Sequence, residues 1–253
     1  MTSLLVINPN TSVEVSALLH RHALRSAPQG AAVHLATARF GARYISGEVA
    51  AAIAGHAALD AYAAHVAGHG EPGAVLLACF GDPGLFALRG LAAVPVLGLA
   101  EASMHAAAGR GRFVIVTGGA AWAPMLERLA SALGFADRLA GVHTVPYSGA
   151  ELAADPARAS ALLRDAAVEA LGRWPEARTV LLGGAGLAGL AEGVGQGLEV
   201  PVLDNVTVAL GAAWRAAGGP ARRDHAVAER GPWSGLSGEL TAALNPAARE
   251  SAP

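Results

Sequence analysis

Short apolar runs of strand length alternate along the chain with longer alanine-rich stretches. This alternation predicts repeated β-α units around a mainly parallel sheet, and therefore an α/β fold. The predicted strands cover residues 3–7, 32–37, 74–79, 112–117, 141–145 and 179–183, with two short ones at 94–97 and 200–203. The predicted helices cover much of residues 12–26, 47–69, 120–133, 156–173 and 206–217. The tail from Gly218 has no clear periodicity, and we expect it to end loosely and to lie outside the active site.

One stretch of the chain occurs twice with small changes. The string VLLACFG at 75–81 is followed by VPVL, and the string VLLGGAG at 180–186 is followed by VPVL again. Within this repeat Cys79, the only cysteine, is matched by Gly184, 105 residues later. Unrelated α/β units also share such short strings, but here strand, glycine turn and second strand recur in the same order.

The repeat predicts two pseudo-symmetric lobes, each a mainly parallel sheet flanked by helices. We assign residues 1–98 and 206–253 to the first lobe and residues 99–205 to the second. Open parallel sheets bind ligands at the carboxyl ends of their strands. The active site is therefore expected in the cleft between the lobes, where the two repeated strand ends face each other.

Composition argues against several classes of protein. At 253 residues, with 53% hydrophobic and 15% charged residues, the chain is long and apolar enough to bury a large core. No apolar run reaches the roughly 18 to 20 residues of a bilayer span. The run at 4–7 is also too short for a signal peptide, so we expect a cytoplasmic protein without membrane association. A net charge of −2 and 5% aromatic residues argue against nucleic-acid binding.

All 18 basic residues of the Lys and Arg class are arginines. A chain without lysine forms no lysine Schiff base with pyridoxal phosphate or a carbonyl substrate, and it has no phosphate-loop lysine. The nine histidines are scattered. His65 and His69 have the i, i+4 spacing of a ligand pair but no evident third ligand, so we expect no metal site.

Cys79 is the first candidate for chemistry. It ends a predicted strand and is followed by Phe80, Gly81, Asp82 and Pro83, a turn that we expect to open a helix. A thiol beside a helix N-terminus is favoured as the reactive thiolate. A buried cysteine that merely fills the core remains the alternative. Asp82 is expected to cap that helix, with Pro83 in its first turn.

Other strand ends carry polar residues or glycines that suit a ligand. In the string INPNTS at 7–12, Ser12 or Thr11 is expected to cap a helix, which leaves Asn8 and Asn10 for ligand contact. Backbone N–H groups of two glycine-rich turns could hold a carboxylate or an enolate, although turn geometry alone also explains the glycines. These turns comprise Thr117, Gly118 and Gly119, and Gly183, Gly184, Ala185 and Gly186.

Together these motifs resemble the hydantoin racemase branch of the aspartate/glutamate racemase superfamily. The resemblance rests on INPNTS at 7–12, GARYISG at 41–47, ACFGDPGL at 78–85, VPVLGLAEA at 94–102 and LLGGAGL at 181–187, and it extends to about residue 217. It implies two pseudo-symmetric α/β lobes and no cofactor. It also implies two cysteines that face each other across a small-molecule substrate, with Phe80 and Gly81 among the contacts. Cys79 matches the first cysteine, whereas Gly184 stands where the resemblance places the second.

The missing side chain at Gly184 leaves several functions open. Inversion needs proton transfer at both faces of the carbon, and one fixed thiol reaches one face. We expect Cys79 to act as the sole thiol acid/base on a hydantoin-like substrate. The alternatives are decarboxylation of a malonate, as in the related arylmalonate decarboxylases but with the opposite product hand, a binding protein without turnover, and a glycine introduced by mutation. The resemblance is compatible with a homo-oligomer, although no residue identifies an interface.

Overall fold

The computed structural model describes residues 2–219 and 232–245. Within these residues, eight strands form two separate sheets. The strands are β1 (Ser3–Asn8), β2 (Ala32–Thr37), β3 (Ala74–Leu77), β4 (Val96–Gly98), β5 (Phe113–Gly118), β6 (Leu139–Val145), β7 (Thr179–Gly183) and β8 (Val202–Asp204). Ten α-helices in the described part of the chain connect and cover these strands. The helices are α1 (Val13–Ser26), α2 (Glu48–His69), α3 (Leu85–Leu91), α4 (Leu99–Ala108), α5 (Trp122–Ala132), α6 (Gly149–Ala154), α7 (Pro156–Arg173), α8 (Ala191–Gly195), α9 (Asn205–Ala217) and α10 (Gly238–Leu244).

The two sheets have the same topology. The strand order is β2-β1-β3-β4 in the first sheet and β6-β5-β7-β8 in the second, and every described pair of neighbouring strands is parallel. The predicted α/β fold with two lobes is thereby confirmed. The residue boundaries of the lobes stay a prediction.

The core explains why the central strands are almost purely apolar. β1, β3, β5 and β7 are buried on both faces, as is usual for parallel strands covered by helices on both sides. One apolar cluster takes side chains from both sheets, including Leu76 of β3, Ile115 of β5 and Leu181 of β7. The helices α4 and α9 also pack against each other, and Ser103 of α4 donates its hydroxyl to the carbonyl of Asn205 at 3.1 Å. The lobes therefore share part of one core.

Several helix ends follow from local sequence. The hydroxyl of Ser12 accepts the N–H of Val15 at 3.2 Å and so caps α1, as predicted. The carboxylate of Asp155 caps α7, whose first residue is Pro156. Four helices were not predicted from the sequence, because they are short or rich in alanine and glycine: α4, α6, α8 and α10. Of these, α10 lies in the tail from Gly218, which has no clear periodicity and which we expected to end loosely. That prediction falls partly outside the described residues.

Among the helices described, none combines the length and the apolar character that a bilayer crossing requires.

Candidate active site

A cavity of about 60 Å³ lies where the carboxyl ends of the two sheets meet. Both repeated strand ends contribute to its wall, as the repeat predicted. The lining residues are Asn10, Val15, Tyr44, Ile45, Ala78, Cys79, Phe80, Thr117, Gly118, Trp122, Gly149, Gly183, Gly184, Ala185, Gly186 and Leu187. Of the residues proposed from sequence, Asn8, Gly81 and Gly119 are not in this wall.

Cys79 lies in a turn just beyond β3, not within the strand. The N–H groups of Gly81 and Asp82 donate to its carbonyl at 2.9 and 3.0 Å, which closes the turn. Only 8% of the residue is exposed. Burial, with a smaller contribution from the charge of Asp82, raises the pKa of the Cys79 thiol. The expectation of a helix-stabilised thiolate was wrong, because α3 begins only at Leu85 and a neutral thiol is favoured where water is excluded.

Asp82 performs a different task from the one predicted. Its carboxylate accepts the N–H groups of Ala100 and Glu101 at 2.9 and 2.8 Å, so it caps α4 and not the helix that follows it directly. Burial raises the pKa of Asp82 to about 7, against the opposing effect of the two N–H donors. A side chain at Gly98 would overlap the carboxylate. Asp82 thus ties the Cys79 turn to the start of α4, and it does so at φ 45°, a strained angle for a residue other than glycine.

The two asparagines after β1 have separate roles. Asn8 is fully buried, and its amide donates to the Asn10 side-chain oxygen at 3.0 Å and to the Ser16 hydroxyl at 2.9 Å. The same Asn10 oxygen accepts the N–H of Ser12 at 2.9 Å. These bonds fix the orientation of the Asn10 side chain and leave its Nδ2 group as the donor available to a ligand. Asn8 therefore supports Asn10 from behind the cavity wall.

Thr117 joins the ends of the two central strands of the second sheet. Its hydroxyl donates to the carbonyl of Gly183 at 2.7 Å. The hydrogen of this hydroxyl is thus engaged, and the oxygen can still accept a hydrogen bond from a ligand. Gly118 lines the cavity beside it, whereas Gly119, at φ 88°, turns the chain toward α5.

Aromatic rings occupy the space left by two glycines. A side chain at Gly183 would overlap the ring of Phe80, and one at Gly81 would overlap the ring of Trp122. Gly81 therefore leaves room for the Trp122 ring, which lines the cavity, and does not itself line the cavity. Gly183 likewise leaves room for the Phe80 ring of the first lobe to pack against the second lobe.

Gly184 has a conformation suited to glycine. Its φ is 136°, in the region that other residues rarely adopt. A Cβ atom added there would meet only the side chain of Leu187, at 3.4 and 3.6 Å, which is ordinary contact. Space for a side chain exists at this position, but the backbone is arranged for glycine.

Several residues of the cavity wall had no role predicted from the sequence. They are Val15, Tyr44, Ile45, Ala78, Trp122, Gly149 and Leu187. Tyr44 and Ile45 come from the loop 38–47 that connects β2 to α2, and the phenol oxygen of Tyr44 accepts the N–H of Gly149 at 3.0 Å. The string GARYISG at 41–47 was the one available signal for them, but a loop residue has no position until the fold is known.

The histidines group together more than expected. His34 on β2 brings its ring centroid to 4.9 Å from that of His65 and 5.9 Å from that of His69. The sequence alone did not indicate that a third histidine ring lies beside this pair. Within the described part of the chain, however, no group of three potential ligands is arranged to hold a metal ion.

A comparison with known protein families shows which family this chain belongs to. The model of the Asp/Glu/hydantoin racemase family matches residues 4–213. The chain belongs to this family. It is 30% identical to the hydantoin racemase of Paenarthrobacter aurescens over 207 residues, 81% of this chain and 87% of that protein. A shorter match of 134 residues, 53% of each chain, is 36% identical to the hydantoin racemase of Pseudomonas sp. strain NS671.

Solved structures of the family share the fold. The allantoin racemase from Klebsiella pneumoniae superposes with a TM-score of 0.85 at 31% identity and covers 95% of this chain and 99% of that one. A liganded double mutant of arylmalonate decarboxylase gives a TM-score of 0.67 at 18% identity, covering 87% of this chain and 94% of that one, and so shares the fold alone. The predicted relation to hydantoin racemases is confirmed, and arylmalonate decarboxylase shares the fold.

Proposed function

We propose that this protein is a cofactor-independent enzyme that transfers a proton at an activated α-carbon of a small hydantoin-like substrate, with Cys79 as its sole thiol acid/base. The observation that carries the proposal is the position of the only thiol in the chain on the wall of the cavity between the two sheets. The likeness to hydantoin and allantoin racemases supports a cyclic ureide as the substrate class.

The hydrogen-bonding groups of the wall suit such a substrate. Asn10 offers an oriented amide donor for a carbonyl oxygen, and the Thr117 oxygen offers an acceptor for a ring N–H. The backbone of the turn at 184–186 approaches the cavity without intervening side chains, apart from the methyl of Ala185. Donors that meet the carbonyl oxygen more strongly as it becomes an enolate oxygen stabilise the transition state more than the ground state.

The buried thiol decides how proton transfer begins. Because burial raises the pKa of Cys79, the free site holds the neutral thiol. When a substrate brings N–H donors into the cavity, the thiol proton passes to water and the thiolate remains, since hydrogen bonds to a charged form favour that form. The thiolate then removes the α-hydrogen as a proton, and the electron pair of the C–H bond enters the enolate of the adjacent carbonyl.

The neutral thiol also favours a second candidate, decarboxylation of a disubstituted malonate. In that reaction the bond to one carboxylate breaks, carbon dioxide leaves, and the electron pair stays in an enediolate. The Cys79 S–H group then protonates the carbon from one face, and water returns a proton to the thiolate. One thiol is sufficient for this step, and the product has a single hand.

Proton NMR in D₂O with one enantiomer of a 5-alkylhydantoin tests the proposal. The signal of the α-hydrogen and the optical rotation are followed together for the wild type, for Cys79→Ser and for a blank without protein. We expect α-hydrogen exchange in the wild type and a loss of about 10²-fold to 10⁴-fold in Cys79→Ser, the usual effect of removing a positioned acid–base group.

The other candidate functions give different results in the same series. Exchange that is unchanged in Cys79→Ser would refute the role of the thiol. An absence of exchange, combined with release of carbon dioxide and one product enantiomer from an arylmalonate, would identify the decarboxylase. Binding of the hydantoin with equal affinity in both proteins, without exchange or decarboxylation, would identify a binding protein.

A further inference from the structure

Tyr44 lies on the cavity wall, and the proton transfer described above leaves it without a task. Racemisation requires a proton to leave one face of the α-carbon and another to arrive at the opposite face, and Cys79 reaches one face. Among the residues that line the cavity, Cys79 and Tyr44 carry the side chains that can exchange a proton as acids. Tyr44 is therefore the first candidate for a second proton-transfer group.

The phenol of Tyr44 lies against the second lobe although its loop follows β2 of the first sheet. Its oxygen accepts the N–H of Gly149, the first residue of α6, at 3.0 Å. A Cβ atom on Gly186 would lie 2.9 Å from the carbonyl oxygen of Gly149, so this backbone adjoins the turn that contains Gly184. The phenol is thus held on the wall of the second sheet, whereas the Cys79 thiol belongs to the wall of the first.

The loop that carries Tyr44 is fixed on both sides. On the first lobe the N–H of Thr11 donates to the carbonyl of Ala42 at 3.1 Å. On the second lobe the ring edge of Tyr44 lies 3.3 Å from the position of a Cβ atom on Gly149, in addition to the hydrogen bond of its oxygen. A group that delivers protons has to be positioned before the reaction, and these contacts position the phenol.

The hydrogen bond to Gly149 also determines the direction of transfer. Because the phenol oxygen is the acceptor in that bond, its own hydrogen is left for another partner. Within the described residues no group accepts this hydrogen, and because Tyr44 lines the cavity, a bound substrate is within its reach.

We propose that Tyr44 is the second proton-transfer group of this site and acts from the side of Gly184. The inference rests on the proposed function of Cys79. In one direction the Cys79 thiolate takes the α-hydrogen as a proton and leaves the C–H electron pair in the enolate. The O–H bond of Tyr44 then breaks toward the opposite face, the enolate pair forms the new C–H bond, and a phenolate remains. The phenolate then takes a proton from water and becomes phenol again, while Cys79 is left as the neutral thiol of the free site.

The test separates inversion from exchange. Whole-chain Tyr44→Phe and Tyr147→Phe are compared with wild type in D₂O, with the enantiomer of a 5-alkylhydantoin whose α-hydrogen exchange is lost in Cys79→Ser, and both readouts are recorded. Tyr147 is the matched control, since its hydroxyl contacts Arg158 at 3.4 Å and not the cavity. We expect Tyr44→Phe to lower inversion by about 10²-fold to 10⁴-fold. Exchange with retained rotation, through Cys79, should persist, and Tyr147→Phe should behave as wild type.

Each other outcome overturns the role of Tyr44. One such outcome is an inversion rate that is equal in Tyr44→Phe and wild type. Another is a fall of exchange and inversion by the same factor, because the tyrosine would then only hold the substrate or the loop. Wild-type exchange that depends on Cys79 but shows no inversion would overturn the role of Tyr44 and leave that of Cys79 intact. No exchange in any protein would overturn both.

A second substitution guards against loss of folding. Incorporation of 3-fluorotyrosine at position 44 keeps the hydroxyl and makes the phenol more acidic. We expect this protein to recover inversion relative to Tyr44→Phe, with an unchanged far-ultraviolet circular dichroism spectrum. A folded fluorotyrosine protein that exchanges but does not invert would count against the phenol as the proton donor.

Discussion

A thiol at position 184 would add a second acid–base group on the wall opposite Cys79. The Gly184→Cys substitution meets little steric resistance, because the new Cβ atom would contact only Leu187, at 3.4 and 3.6 Å. The backbone opposes the change, since Gly184 has a φ of 136°. Holding a residue other than glycine in such a conformation costs about 1 to 3 kcal/mol. We therefore expect Gly184→Cys to fold, with a free energy of unfolding lowered by about 1 to 3 kcal/mol.

The gain in activity can be separated from the strain with Gly184→Ala, which has the same backbone cost and no thiol. Urea unfolding followed by circular dichroism measures the strain in both variants. Polarimetry with a single hydantoin enantiomer measures inversion. When both variants also carry Tyr44→Phe, so that the phenol does not supply the second proton, a second thiol placed at the reacting carbon should raise the inversion rate by about 10²-fold to 10⁴-fold over Gly184→Ala.

Two results would refute this reasoning. If Gly184→Ala unfolds at the same urea concentration as wild type with the same slope, the positive φ is not a cost in this turn. If Gly184→Cys is folded and shows a second thiol that reacts with a disulfide reagent, yet inverts no faster than Gly184→Ala, position 184 does not face the reacting carbon.

Three further predictions concern residues near or behind the site. Asp82→Asn should lower the pKa of the Cys79 thiol because it removes a negative charge, and the thiol should then be alkylated faster at a given pH. The same variant should lose about 1 to 3 kcal/mol of stability, because an amide cannot accept both N–H donors equally well. An unchanged alkylation rate would contradict the effect on the pKa. Gly183→Ala should destabilise by about 1 to 3 kcal/mol because the methyl group overlaps the Phe80 ring, and equal urea midpoints would show that the ring moves aside. Burial and two neighbouring histidine rings lower the pKa of His65 from 6.5 to about 4, so the unfolded chain takes up a proton first as the pH falls, and stability should decrease between pH 6.5 and 4. The change should be about 1 to 2 kcal/mol after allowance for screening by water, and His65→Gln should flatten this slope in urea titrations.

Much of the architecture could be predicted because local sequence encodes it. The predicted bounds of β2, β7 and α7 match the structure, since the two strands are short, mostly apolar segments and the helix has a capping aspartate and a proline at its start. The repeat of strand, glycine turn and strand also indicated two similar sheets, which share one strand order. Cys79, Asn10 and Thr117 could be proposed as wall residues because ligands bind at the carboxyl ends of parallel strands.

The errors have a common physical origin in contacts between distant parts of the chain. Asp82 was expected to cap the next helix, but its carboxylate reaches the N–H groups of α4, which begins only after β4. The thiol of Cys79 was expected to ionise easily, but the surrounding core excludes water and raises its pKa. Neither the helix that Asp82 caps nor the burial of Cys79 can be predicted from a single segment of the chain.

The sequence by itself determined that the chain has two α/β lobes, that it holds one thiol and that this thiol follows a buried strand, because hydrophobic periodicity and residue identity are local properties. Only the tertiary structure decided that Tyr44 would face the same cavity, since its loop is held by a hydrogen bond to Gly149, 105 residues away in the chain. The same holds for the fit of Phe80 over Gly183 and for the buried state of Cys79. Distances across a cleft and access of water arise when separate segments pack together, and these two quantities set the chemistry of the site.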